Sequence, residues 1–231
     1  MTAVKKIIAQ TPILGKLAKT IYFRLRGRDG NPFPGSSTYW ESRYRSGGNS
    51  GVGSYGLFAQ FKAEVINDFL ARRDIHNAIE FGCGDGNQLG LIRCRSYLGF
   101  DVSANAVKRC QRLFKSDRNK TFRLMTDYGG EKADLTLSLD VIFHLVEDNV
   151  FEHYMRRLFA ASNRYVIIYA SDSDDNPGDQ PDHVRHRAFT GWIQRNLLHW
   201  KLVEHIPNRY PYRGDYRTGS FAEFFFYEKA P

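Results

Sequence analysis

Residues 78–90, AIEFGCGDGNQLG, set Glu80 at the end of a short apolar run and follow it with Gly82, Gly84 and Gly86, each two apart. A glycine loop after a strand turns tightly and lets a ligand come close to the main chain. A phosphate-binding GxxxxGK[ST] loop is absent, and the third glycine falls one residue short of the dinucleotide pattern GxGxxG. Asp101 ends YLGFD, about 20 residues on, where an acid can take both hydroxyls of a ribose. Asp127 in LMTDYG and Asp140 in LSLDVIFHLVED close two further apolar runs. His144 follows Asp140, and DHVRHRAFT carries His183, Arg185, His186 and Arg187. Histidine takes up a proton near neutral pH, and arginine forks match carboxylate or phosphate. The second cluster reads equally as a substrate-binding loop or as a solvated loop before a helix.

The elements that must carry these residues alternate. NAIEFG, SYLGFDVS, TFRLMTDY, ADLTLSLDVIFHL and RYVIIYAS read as strands, and WKLVEHIP with FAEFFFYEK as a closing antiparallel pair. Between them GNQLGLIRC predicts a helix start, SANAVKRCQRLFK a helix capped by Ser103, and EDNVFEHYMRRLFAAS and TGWIQRNLLH two more. Ahead of them LFAQFKAEVINDFLARR, apolar at Phe58, Phe61, Val65, Ile66 and Phe69, predicts a helix of about four turns. The expected class is α/β: a Rossmann-like, doubly wound, mostly parallel seven-stranded sheet with a C-terminal antiparallel hairpin. Ligands in such sheets bind outside the carboxyl ends of the strands, where the acids fall.

Three units are expected: 1–30, a basic amphipathic helix and linker; 31–57, an aromatic and glycine-rich lid; and 58–231, the α/β domain. Residues 1–28 hold seven Lys or Arg and no acid, so all but one unit of the net charge of +8 lies there. After Thr11-Pro12, a start signal, Leu14, Leu17, Ala18, Ile21, Tyr22 and Leu25 share a helical face. That face can dock on the domain, lie on an anionic membrane or, through its charge, meet nucleic acid. In the lid, a short helical turn around TYWESRY is expected to be capped by Ser37 or Thr38, and Gly47, Gly48, Gly51, Gly53 and Gly56 predict a segment that closes over substrate. Cys83, Cys94 and Cys110 form no CxxC pair, which argues against a disulfide framework and for a reducing cytoplasm. No run is apolar enough to span a membrane and no secretory leader is apparent, so a cytoplasmic protein, peripheral at the inner membrane face if the basic helix binds there, is expected.

Glu80 with Gly82-x-Gly84-x-Gly86 resembles motif I of the class I S-adenosylmethionine-dependent methyltransferases, (D/E)xGxGxG, and the resemblance runs over roughly residues 58–229. It implies S-adenosyl-L-methionine as cofactor and S-adenosyl-L-homocysteine as product. Glu80, Gly82, Gly84 and Gly86 would underlie the amino-acid end, Asp101 would hold the ribose and Asp127 the adenine amino group. Asp140, in the segment similar to the family's post-strand-four motif, also joins the cofactor site. WESRYRSGG…GSYG looks like the lead-in of small-molecule and glycan methyltransferases, so Tyr39 and Arg43, with Trp40 and Tyr44, are candidates to cover the sulfonium and pair the cofactor carboxylate, or to anchor a helix.

Methyl transfer from a sulfonium is an in-line displacement governed by positioning, and an alcohol acceptor must also lose a proton. His144 is the expected base with His186 as the other candidate, while His183, Arg185, Arg187 and Tyr55 are expected to meet substrate. The acidic loop 172–182 lacks an EF-hand register, and no metal is expected. The chain shows no (D/N)PP(Y/F) after strand four and no Pro-Cys nucleophile, so a nucleic-acid substrate is disfavoured. The expectation is O-methylation of a sugar, glycan or other small molecule, by resemblance to enzymes of bacterial surface-polysaccharide pathways. The alternatives are an RNA or protein methyltransferase recruited by the basic N-terminus, and a silent cofactor-binding subunit.

Overall fold

A computed structural model describes residues 33–178 and 180–230, so the basic helix expected over residues 11–26 lies outside the described residues. The described chain opens with α1 (Ser36–Arg45) and α2 (Gly56–Arg72), separated by a 3₁₀ turn at Val52–Ser54. Then come β1 (Asn77–Phe81), β2 (Ser96–Asp101), α3 (Ala104–Leu113), β3 (Lys120–Leu124) and β4 (Ala133–Leu139). The rest is α4 (Asp148–Ala160), β5 (Ser162–Ala170), α5 (Phe189–Asn196), β6 (Trp200–Ile206) and β7 (Glu223–Lys229). All seven strands form one sheet in the order β3-β2-β1-β4-β5-β7-β6. Pairings among β1 to β5 are parallel, and β7 runs antiparallel to both β5 and β6. The fold class is the expected one.

Helices on both faces require strands that are apolar throughout. Val166, Ile167, Ile168 and Tyr169 of β5 and Phe224, Phe225 and Phe226 of β7 are all buried. Edge strand β6 keeps Lys201, Leu202, Val203 and His205 exposed. Ser103 caps α3 as expected, its side chain accepting from the Ala106 N–H at 3.2 Å.

Three local expectations are corrected. GNQLGLIRC forms a 3₁₀ turn at Leu89–Leu91 and no helix. The chain must return from the tip of β1 to the start of β2, roughly 17 Å for a five-residue strand. The seven residues from Leu89 to Arg95 would span only about 10 Å as a helix, so the chain leaves the turn after Leu91 and is extended at Ile92. In the third and fourth strands, pairing ends at Leu124 and Leu139, and Asp127 and Asp140 fall in turns beyond the strand ends. Helix α1 starts earlier than TYWESRY, with Gly35 at its N-cap and no cap from Ser37 or Thr38. Its first turn is satisfied from across the molecule: Glu147 accepts from the Ser36 N–H at 2.9 Å and the Ser36 hydroxyl at 2.5 Å.

Candidate active site

A crevice of about 440 Å³ lies between the lid segment and the carboxyl ends of β1, β2 and β4, where the sheet order reverses direction. Glu80 and Asp101 line it and are buried. Glu80 Oε2 accepts from the Tyr97 hydroxyl at 2.5 Å. Burial pushes its carboxyl up to about 7, against the opposing pull of Tyr97 and Lys62. Asp101 holds the loop itself: Oδ2 accepts from the Gly84 N–H and Oδ1 from the Ser103 N–H, both at 2.9 Å. Burial pushes this carboxyl up to about 6.

The glycines are needed for two distinct reasons. Gly82 has φ 87°, and a Cβ there would lie 2.5 Å from Val141 Cγ2 in the turn after β4. Gly84 has φ 57°, and a Cβ there would collide with Ser50 and Tyr44 of the lid segment. The lid therefore rests directly on the loop, and Asp85 fastens it. Asp85 Oδ2 accepts from the Ser50 N–H at 2.9 Å and the Tyr55 hydroxyl at 2.7 Å, while its own N–H donates to Ser50 Oγ at 3.0 Å. These bonds outweigh the cost of burial and hold the Asp85 carboxyl below its usual range. Burial beside Asp85 pushes the Tyr55 phenol up to about 12. Asn87 adds a bond to the Ser54 carbonyl at 2.7 Å.

On the other side of the crevice, Asp140 sits at φ 59° with Oδ2 2.5 Å from Lys62 Nζ. The short turn Ile142–His144 then brings His144 to the wall. Its Nδ1 is 2.9 Å from the His183 carbonyl. A carbonyl can only accept, so Nδ1 carries the proton and Nε2 is left as an unprotonated acceptor. Burial, with only partial relief from the His183 carbonyl, pushes His144 down to about 3. The ring packs edge-on to Trp40 at 4.8 Å between centroids, and His183 stacks in turn on Tyr39 at 4.3 Å.

Of the sequence candidates, Glu80, Gly82, Gly84, Asp101, Asp140 and His144 meet at the crevice, together with Trp40 and Tyr44. Gly86 lies behind it, where a Cβ would press on Phe114 and Cys110. Other candidates are placed elsewhere. Asp127 is exposed in the turn after β3, and Met125 and Thr126 line the wall in its stead. Arg43 spends its Nε–H on the Asn49 carbonyl at 2.7 Å and lies 5.4 Å from the Trp40 ring centre; neither it nor Tyr39 lines the crevice. Tyr55 is the lid fastener just described. His186 Nδ1 pairs with Ser171 Oγ at 2.6 Å, away from the crevice. Arg187 is buried and structural, bonding Asp148 at 2.8 Å and the Leu145 and Val146 carbonyls at 2.9 and 2.8 Å. Arg185 joins it at Val146 and Asp148. Both arginines brace the segment that follows His144, Arg187 through both of its terminal nitrogens and Arg185 through Nη1, with the Arg185 side chain 42% exposed.

Sequence reasoning missed Lys62, Asp85 and Gln88, and the α4 stripe Asn149, His153 and Arg157. Lys62 had a legible signal, because it falls on the apolar face of α2 with Phe58 and Ile66, each four residues away. Among the described residues no three His, Cys, Asp or Glu side chains are grouped to hold a metal ion, and no helix is long and apolar enough to cross a membrane.

Residues 79–166, spanning the glycine loop through most of β5, match the family described as "Methyltransferase domain". That stretch, 88 of the 231 residues, is similar to a methyltransferase domain. The fold of the chain is that of the class I S-adenosylmethionine-dependent methyltransferases, and solved structures share it along nearly their whole length. Magnesium protoporphyrin IX methyltransferase from Synechocystis PCC 6803 with bound SAM aligns over 87% of this chain and 100% of its own, with TM-score 0.61 and 15% identity. N-methyltransferase NodS from Bradyrhizobium japonicum WM9 in complex with SAH aligns over 84% and 98%, with TM-score 0.63 and 13% identity. The methyltransferase domain of bacterial-CtHen1-C aligns over 74% and 98%, with TM-score 0.57 and 18% identity. At such identities the likeness is one of fold, and no curated protein matches the chain. The residues fit the cofactor of that fold. Four carboxylates, Glu80, Asp85, Asp101 and Asp140, line the crevice, and burial makes ionisation of Glu80 and Asp101 costly. A ligand bearing a sulfonium and an ammonium offsets that cost.

Proposed function

We propose that the chain O-methylates a sugar, a glycan or another small hydroxylated molecule, with S-adenosylmethionine as methyl donor and His144 as general base. When bound, the cofactor supplies an electrophilic methyl group on a sulfonium. Glu80 faces its cationic amino-acid end, Asp101 stiffens the glycine loop and faces the ribose, and Met125 and Thr126 bound the adenine side. Glu80 stays ionised against its burial because the ligand brings positive charge. The closed lid, fastened through Asp85, excludes water and narrows the approach of the acceptor.

The observation that carries the reading is the tautomer of His144. With Nδ1–H committed to the His183 carbonyl, Nε2 is the unprotonated acceptor of a ring that lines the crevice. A hydroxyl needs such an acceptor as it attacks the methyl carbon, and positioned acid–base groups typically contribute about 10²–10⁴-fold. Burial keeps the ring neutral throughout the physiological range, so it is ready to accept but is a weak base. Ser37, Trp40 and Asn149 also line the crevice and bring hydroxyl, indole and amide groups, which suit a polyol. A radiolabelled methyl screen over sugars, nucleotide sugars and lipid-linked glycans is expected to find an acceptor whose labelling is lost in His144→Ala. Labelling of RNA or of a protein alone would favour recruitment by the basic N-terminus, and cofactor binding without any labelling would favour a silent subunit. We further propose that residues 1–28 hold the enzyme at an anionic, inner-face membrane. Liposome sedimentation unchanged by deletion of residues 1–26 would remove that role.

A further inference from the structure

The connection between β6 and β7 takes no part in the chemistry proposed so far. Residues 207–222 join two strands that pair antiparallel, a span far longer than the about two to five residues of most hairpin loops. Connections of that length are uncommon and most often carry function. This one is held in shape. Asn208 is buried, its Nδ2 donating to the Tyr169 hydroxyl at 2.6 Å and to the Ala222 carbonyl at 2.7 Å. The Ser220 N–H donates to the Tyr210 carbonyl at 2.9 Å, and the Tyr212 N–H to the Ser220 carbonyl at 3.0 Å. The loop nonetheless keeps two large rings in solvent, Tyr212 at 46% and Phe221 at 40% exposed.

Those rings continue a line that starts at the crevice. From His144 in the crevice wall, ring centres step 4.5 Å to Phe143, 5.6 Å to Phe221 and 5.9 Å to Tyr212. His186 meets Phe221 edge to face at 4.5 Å, and Ser171 engages one of its ring nitrogens. Apolar ring faces with hydrogen-bonding groups at their edges suit a pyranose, which has a face of C–H bonds and a rim of hydroxyls. The charge nearby is mixed. The hairpin brings Arg213 and Arg217, and the loop bonded to His186 through Asn176 brings Asp174, Asp175 and Asp182. Such a border forms no one-signed track for a nucleic-acid backbone.

We propose that Phe221 and Tyr212 form a stacking platform for the sugars that flank the methylated one, so that the acceptor is an oligosaccharide chain and not a free monosaccharide. The platform rests on the glycan reading of the acceptor and narrows it. The sugar that receives the methyl group lies at His144, and its neighbours in the chain lie two and three rings away along the strip. Their contacts add binding energy away from the reacting atoms, and Phe143 ties the platform to the residue that meets the hydroxyl.

Radiolabelled methyl transfer to neutral carbohydrates of graded length tests the platform. The probes are glucose, galactose and N-acetylglucosamine, each with its linear di- to hexasaccharides. In the series that is labelled, the native chain is expected to use the long acceptors with kcat/KM about 10- to 100-fold above the monosaccharide, the worth of two stacked rings. Tyr212→Ala with Phe221→Ala is expected to bring that ratio close to one, chiefly through KM for the long acceptors. Phe221→Leu, which keeps apolar packing against Phe143, is expected to lose part of the ratio. Melting curves and S-adenosylhomocysteine affinity report whether the variants fold. Equal use of short and long acceptors by the native chain, or a ratio that both variants keep, would overturn the platform and leave the sugar reading standing. No labelling of any carbohydrate would overturn the glycan reading and the platform with it. Capture of single-stranded oligouridylate through the same two rings would overturn the platform in favour of a nucleic acid.

Discussion

Over β1 and β2 the crevice is made by the main chain, whereas over β4 it is made by side chains brought from distant segments. In the first half, Gly82 and Gly84 adopt left-handed backbone conformations and Asp101 ties the loop to the start of α3. Within about 25 residues the chain builds that floor almost by itself. In the second half, His144 takes its tautomer from His183, 39 residues later, and its packing from Trp40, about a hundred residues earlier. Arg187 then clamps the carbonyls that follow it. A receptor for one fixed cofactor can be local and stiff. A site for an acceptor that varies among proteins of one fold is assembled through tertiary contacts, and its parts can be exchanged independently.

The contrast can be broken most severely at Gly82. Gly82→Val forces a side chain into a left-handed backbone position and against Val141, with an expected cost of roughly 3–5 kcal/mol in urea unfolding and loss of cofactor binding. A fully stable variant would mean that the loop is not constrained as described. In the side-chain half, His144→Ala should lower turnover by about 10²–10⁴-fold while S-adenosylhomocysteine affinity stays within about threefold. If affinity drops and turnover persists, the histidine shapes the pocket and the base lies elsewhere. Because burial holds His144 near 3, no acidic limb from this residue is expected in the rate profile above about pH 5.

A pH titration sharpens the comparison, since the buried acids belong to the main-chain half. Glu80 and Asp101 are raised in the folded state, to about 7 and about 6. Their contribution to stability is therefore full below the ordinary carboxylate range and is lost as pH climbs through 6 and 7. The Tm of the ligand-free protein should fall between pH 5 and 7.5 relative to Glu80→Gln. Binding of a cationic ligand has the opposite slope, because it favours the ionised carboxyl: affinity should weaken about tenfold per pH unit below 7, and Glu80→Gln should flatten that dependence. The smallest effect is expected at the lid. Tyr55→Phe removes one hydrogen bond to Asp85 and should cost about 0.5–1.5 kcal/mol, with faster cofactor release in stopped flow.

The same contrast explains what the sequence revealed. Glycine at φ 87° and 57° leaves a signature because few other residues tolerate it, so Gly82 and Gly84 could be read directly, as could the strand ends that place Glu80 and Asp101. The sheet was legible for a similar reason, since strands covered on both faces must be apolar throughout. Arg187 looks like an anion binder in isolation, and only the fold shows that the Leu145 and Val146 carbonyls and Asp148 engage both of its terminal nitrogens. Asp127 carried the expected spacing, yet β3 stops at Leu124 and a tight turn leaves Asp127 in solvent. Lys62 sat in plain view on an apolar stripe, but a partner 78 residues away gives it meaning.

The central claim is that the crevice over β1 and β2 receives an adenosyl sulfonium compound. Titration of the full chain with S-adenosylhomocysteine in a calorimeter at pH 7.5 tests it most directly, with a nicotinamide dinucleotide as the control. The account predicts saturable binding with one site per chain for the former and none for the latter. Absence of heat with S-adenosylhomocysteine, or binding of the dinucleotide in its place, would contradict it.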